Sequence, residues 1–143
     1  MAQVRVVLAD DDPGMSTALA EILVADDRFE VLASAADGHE LLDRVQELTP
    51  DVVLLDVRMP GGGAVAMRAL SALPRPPRVV VVSATADRAT VTSLVREGAV
   101  GYLVKGRLDE SLPDLVIRCA AGEMHLAVPH ARQIIDGLIC AGH

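Results

Sequence analysis

A chain of 143 residues that is 51% hydrophobic can bury the core of one domain without disulfides. Its formal charge of −7 and its two aromatic residues, Phe29 and Tyr102, leave neither a basic face for phosphate contacts nor platforms for stacked bases, so nucleic-acid binding by this chain alone is not expected. Cys119 and Cys140 lack metal-type spacing and read as free thiols of a reducing cytoplasm; the N-terminus has no signal-peptide pattern, and no apolar run approaches the ~20 residues of a membrane helix.

In chain order, VRVVLA (4–9) predicts a first strand, and residues 14–25 a helix with Met15, Leu19, Ile22 and Leu23 on one face. FEVLAS (29–34) predicts a second strand, and residues 37–48 a helix striped by Leu41, Leu42, Val45 and Leu48. DVVLL (51–55) is a third strand, followed by a short helix over 64–73 that the Pro-rich PRPP (74–77) ends. RVVVVS (78–83) is a fourth strand, and residues 87–97 a helix carrying Val91, Leu94 and Val95, with Gly98 as its stop. GYLVK (101–105) is the fifth strand, and residues 109–121 the last clear amphipathic helix. Residues 122–143, with Pro129 and then Ile134, Ile135, Leu138 and Ile139, read as a linker or an extra helix.

Five strands alternating with helices predict βαβ units and a parallel sheet covered on both faces. In such sheets ligands bind beyond the carboxyl ends of the strands, where the strand order reverses. Asp10, Asp11, Asp56, Ser83 and Lys105 all fall at those ends. Asp56 closes the apolar run VVLLD and is followed by VRMPGGG, a loop of small bulk. Carboxylates brought together there repel one another unless a cation joins them, and a hard divalent ion with oxygen ligands, Mg²⁺, resolves this. A carboxylate nucleophile at Asp56, a metal, an ammonium group at Lys105 and a hydroxyl at Ser83 together suit phosphoryl transfer.

The set DDD after the first strand, Asp56 with VRMPGGG, Ser83 with Ala84, and GYLVK ending at Lys105 resembles the receiver domain of two-component response regulators, over residues 4 to about 121. The resemblance implies a flavodoxin-like five-stranded parallel sheet, order 2-1-3-4-5, for a receiver domain at 1–121. It makes Asp56 the phospho-acceptor. Asp10, Asp11, Asp56 and the backbone carbonyl of Arg58 become the Mg²⁺ ligands. Ser83 and Lys105 sense the phosphoryl group, and Tyr102 is the switch aromatic that turns inward. Arg58 and Thr85, two residues beyond Asp56 and Ser83, tune hydrolysis. A sensor histidine kinase is the implied donor and a homodimer the implied phosphorylated state, in the cytoplasm and away from the membrane. Phosphoryl uptake is self-catalysed and autodephosphorylation slow, so the protein is a switch rather than an enzyme.

The stretch AAGEMHLAVPHARQII resembles the sequence that follows receivers with a LuxR-type helix-turn-helix output. A chain cut short of such a domain is the expectation, with a single-domain protein as the alternative; DNA would be reached only through an output domain, with transcription as the output. Two positions depart from the common pattern: Gly106 follows Lys105, and Ser83 stands where Thr is frequent. Asp12 is an extra acid, either a helix cap or an outer neighbour of the metal. Two other readings compete. In one, Asp10 and Asp12 serve a haloacid-dehalogenase-like phosphatase; in the other, the domain is an interaction module that is never phosphorylated.

Overall fold

The computed structural model of the protein describes residues 3–107 and 111–141. The apolar runs form β1 (Val4–Ala9), β2 (Phe29–Ala35), β3 (Val52–Leu55), β4 (Arg78–Ser83) and β5 (Ala99–Val104). Between them lie α1 (Pro13–Val24), α2 (Gly38–Leu48), α3 (Ala64–Ser71) and α4 (Arg88–Arg96). A 3₁₀ turn (Lys105–Arg107) and α5 (Ser111–Ala120) follow β5. The sequence reading starts this last helix at 109; residues 109 and 110 lie outside the described residues.

With a further short strand, β6 (His125–Ala127), at one edge, the strands form one parallel sheet in the order β2-β1-β3-β4-β5-β6. Successive strand residues point to opposite faces, so the Val/Leu runs feed two cores. Val7, Val53, Leu55, Val79 and Val81 pack with α2, α3 and α4 through Leu41, Val45, Met67, Leu70, Val91 and Leu94. Val6, Leu8, Val52, Leu54, Val80 and Val82 pack on the other face with Leu19 and Leu23 of α1 and Leu112, Leu115 and Val116 of α5. This is the doubly wound, flavodoxin-like arrangement, and it places the reversal of strand order beside β1 and β3.

The expected strand order 2-1-3-4-5 is present, and β6 extends the sheet to six strands. Within residues 122–141, β6 (His125–Ala127) adds in parallel to the outer edge of β5, and α6 (Ala131–Ala141) lies against α4. The physical reason is the free edge of β5, whose unpaired backbone groups need a partner. HLA, three residues without a β-branched side chain, carries no strand signal of its own. Leu126 and Ile134 join the α2–α3–α4 core, and Ile134 is only 2% exposed.

Helix ends follow local rules. Asp12, Asp37 and Asp87 cap α1, α2 and α4 by accepting from the backbone N–H groups of Gly14, Glu40 and Thr90. Gly98 follows α4 at φ 117° and ends it as the sequence predicts. No helix among the described residues is long and apolar enough to cross a membrane.

Candidate functional site

The sheet ladder continues one residue past two strands and so places two carboxylates. The Asp56 backbone N–H donates to the Ala9 carbonyl at 2.8 Å, and that of Asp10 donates to the Ala35 carbonyl at 3.0 Å. Both side chains are buried, each residue 4% exposed. Asp11 stands beside them and is exposed. Carboxylate oxygens of Asp10, Asp11 and Asp56 lie within 4.8 Å of one another, the one acidic cluster of this kind among the described residues.

Lys105 reaches this cluster from the end of β5. Its Nζ lies 2.9 Å from Asp10 Oδ2 and donates to Asp56 Oδ2 at 3.0 Å. Burial works against the ammonium charge, yet the carboxylates of Asp10 and Asp56 outweigh it and hold the Lys105 pKa above the usual lysine value. Asp10 shifts the opposite way to a paired surface acid. Desolvation, joined by the negative charge of Asp56, raises its pKa more than the Asp12 backbone N–H and Lys105 lower it.

The donor set fits a divalent cation. Asp10 Oδ2, although an ion-pair neighbour of Lys105, makes no hydrogen bond of good geometry. A buried carboxylate oxygen without a hydrogen bond is costly. Three carboxylates and one ammonium leave two negative charges, which one divalent ion cancels, and all the donors are oxygens, as hard cations require.

The loop after β3 is internally bonded. The Arg58 N–H donates to Asp56 Oδ1 at 2.9 Å, Met59 N–H to the Asp56 carbonyl at 3.3 Å, and Gly62 N–H to the Met59 carbonyl at 2.8 Å. Gly61 and Gly63 both have φ 73°, where a side chain would be strained. The glycine run is thus required by the backbone path and does more than keep the loop small.

Ser83 is 1% exposed at the end of β4, and its Oγ accepts from the Thr85 N–H at 3.3 Å. Tyr102 is fully buried, with its hydroxyl donating to the Thr85 carbonyl at 2.7 Å, and burial raises its pKa. The sequence reading has Tyr102 turning inward upon phosphorylation; here the ring is already inside. It sits in the core that contains Val91, Leu94, Leu126 and Ile134, so burial of the aromatic surface holds it there. Arg58 and Thr85 flank the mouth, exposed and half-buried respectively. Arg58 is near enough to Asp87 to add, after the Thr90 hydrogen bonds, to the lowering of its pKa.

The sequence leaves Asp12 between two roles, and the geometry decides. Its Oδ1 accepts from Gly14 N–H at 2.9 Å, and its own N–H donates to Asp10 Oδ1 at 2.9 Å, so it caps α1 and braces Asp10. An acid committed in this way is poorly placed for the acid–base role that a phosphatase reading assigns to it. Cys119 is free and buried, which raises its pKa to about 11. One contact had no sequence signal. Gly38, the first residue of α2, donates its N–H to the Pro60 carbonyl at 2.7 Å. Asp37-Gly38 reads in sequence only as a helix start.

Comparison with known proteins agrees with this geometry. The family model of the response regulator receiver domain matches residues 6–117. The chain belongs to the response regulator receiver family. Receivers of this family act as signalling switches rather than as conventional enzymes, and they typically interact with a histidine kinase and dimerise. The chain is 35% identical over 136 residues to the transcriptional regulatory protein YxjL of Bacillus subtilis (strain 168), covering 94% of this chain and 62% of that protein. It is 33% identical to the response regulator GacA of Pseudomonas viridiflava, covering 92% and 62%. The chain therefore spans about three fifths of the length of these curated relatives. Among solved structures, the signal receiver domain of NarL from Mycobacterium tuberculosis has TM-score 0.82 and 34% identity, covering 86% of this chain and 100% of that one. A LuxR-family two-component response regulator from Aurantimonas sp. SI85-9A1 has TM-score 0.85 and 26% identity, covering 96% and 99%. The chain is accordingly a receiver domain of the two-component response-regulator type.

Proposed function

We propose that Asp56 is the residue that takes up the phosphoryl group. The observation that carries this is the Lys105 ammonium, shared at 2.9 and 3.0 Å by the buried carboxylates of Asp10 and Asp56 where the strand order reverses. A carboxylate oxygen of Asp56 attacks phosphorus of a kinase phosphohistidine. The P–N bond breaks with its electron pair to the imidazole, which is left on the kinase, and an acyl phosphate forms on Asp56. Lys105 neutralises one of the added oxygens, and the Ser83 hydroxyl donates to another. Asp10, Asp11, Asp56 and the Arg58 backbone carbonyl would hold Mg²⁺, which when bound supplies charge neutralisation at the transferring group.

The response runs through Thr85. A phosphoryl group that draws the Ser83 hydroxyl weakens the bond it accepts from Thr85 N–H, and the Thr85 carbonyl is the partner of Tyr102. The β4–α4 loop thus links the acid pocket to the core that holds α4 and α6. Arg58 and Thr85 govern water access to the acyl phosphate, and slow self-catalysed hydrolysis resets the switch. Residues 1–121 form the receiver. We read residues 122–143, which include β6 and α6, as the path toward an output domain, through which alone the protein would reach DNA and control transcription; a sensor histidine kinase is the donor, the phosphorylated form is a homodimer, and the switch works in the cytoplasm.

The test is incubation with acetyl phosphate and Mg²⁺, read by intact mass. The wild type should gain one phosphoryl mass, and Asp56→Asn should gain none. Labelling that survives Asp56→Asn but is lost in Asp10→Asn would transfer the role to the phosphatase reading. No labelling of the wild type would leave an interaction module that is never phosphorylated.

A further inference from the structure

We infer that Gly38 is a positioning residue for the acceptor loop, acting through backbone contact with Gly61 rather than through any side chain. The inference rests on the reading of Asp56 and its loop given above. Gly38 begins α2, an element that contributes no group to the acid pocket. Its N–H donates to the Pro60 carbonyl at 2.7 Å. A Cβ on Gly38 would lie 2.1 Å from the Gly61 carbonyl oxygen, 2.7 Å from its carbonyl carbon and 3.0 Å from its Cα. These are backbone atoms and cannot rotate away as the end of a side chain could. Helix and loop touch with no room for a methyl group.

The loop cannot absorb a push locally. Its residues are tied to one another by the Arg58, Met59 and Gly62 hydrogen bonds described above. Met59 is buried in the α2–α3–α4 core. Gly62 is packed so that even a Cβ there would meet the carbonyl oxygens of Asp56, Met59 and Val57 at 2.9–3.1 Å. A displacement imposed at Gly61 therefore passes along a bonded unit to Arg58 and Asp56. On the other side, α2 is held by buried Leu41 and Val45 and by its Asp37 cap. The contact sets how far the loop stands from α2, and so where Asp56 and the Arg58 backbone stand relative to Asp10 and Asp11.

Gly38→Ala should raise the Mg²⁺ concentration for half-saturation, followed by the amide NMR shifts of Gly62 and Gly63, and slow phosphoryl uptake from acetyl phosphate. A displacement of about 1 Å at a reacting centre costs on the order of a hundredfold, so a fall in rate of roughly ten- to a hundredfold is expected. Val45→Ala, a buried position two turns along the same helix, is the control for lost stability. If Gly38→Ala changes Mg²⁺ affinity and rate no more than Val45→Ala does, the inference is overturned. Gly61→Asn loads the same contact from the loop side, since its Cβ would lie 3.1 Å from Gly38 N, and Asn tolerates positive φ. Should Gly38→Ala fail to fold, weakened Mg²⁺ binding by Gly61→Asn sustains the inference and unchanged binding overturns it. A wild type that binds Mg²⁺ but takes up no phosphoryl group would refute the proposed role of Asp56, while the Mg²⁺ comparison would still decide the role of Gly38.

Discussion

Lys105 Nζ stands about equally far from Asp10 Oδ2 and Asp56 Oδ2, and no other cationic side chain pairs with either carboxylate among the described residues. Removing it leaves two buried acids unpaired. Loss of one partner from a fully buried pair costs about 3–5 kcal/mol. The Lys105 side chain keeps 19% of its exposure, so a smaller loss of about 2–3 kcal/mol is expected for Lys105→Ala in metal-free buffer. Urea unfolding with EDTA measures this, and Mg²⁺ should restore more stability to the variant than it adds to the wild type. Single residues were unevenly legible in the sequence. Asp56, Asp10 and Lys105 could be picked out because a charge at the end of an apolar run has few other uses. Asp12 could not be assigned, because a cap and an outer neighbour of a metal need the same carboxylate. Only its bond to Gly14 N–H separates them.

The elements that repeat a clear period were legible, and their boundaries moved by only one or two residues. α2 shows why: Leu41, Leu42, Val45 and Leu48 fall on one stripe, and the structure turns that stripe to the core. β6 was not legible, because its pairing partner, the edge of β5, exists only once the sheet has formed. This pairing also covers part of the surface around α4, since α6 lies against α4 and β6 takes the β5 edge. If α6 belongs to the cooperative unit, Ile134→Ala should cost about 2–4 kcal/mol in denaturant unfolding, as for other buried aliphatic truncations. A helix that served only as a tether would show almost no loss.

At the scale of the molecule, a chain of net charge −7 gathers three carboxylates at one rim, and that concentration of charge links stability to cation binding. Mg²⁺ at about a hundred times its dissociation constant should stabilise the fold by about 2.7 kcal/mol. Thermal unfolding with Mg²⁺, against NaCl of equal ionic strength, checks this. Asp11→Ala should lose most of the gain while leaving metal-free stability within about 0.5 kcal/mol, because Asp11 is exposed. By itself the amino-acid sequence determined the alternation of strands and helices, the parallel sheet and the strand ends that carry the acids. These follow from periodicity and from the burial of continuous Val/Leu runs, which are local properties. Tertiary structure alone decided that Lys105 bridges Asp10 and Asp56, that Tyr102 is already inside on the Thr85 carbonyl, that Gly38 touches Gly61, and that a sixth strand closes the β5 edge. Each is a contact between segments far apart in the chain, and its distance is set by how two faces of the sheet pack rather than by any pattern along the sequence.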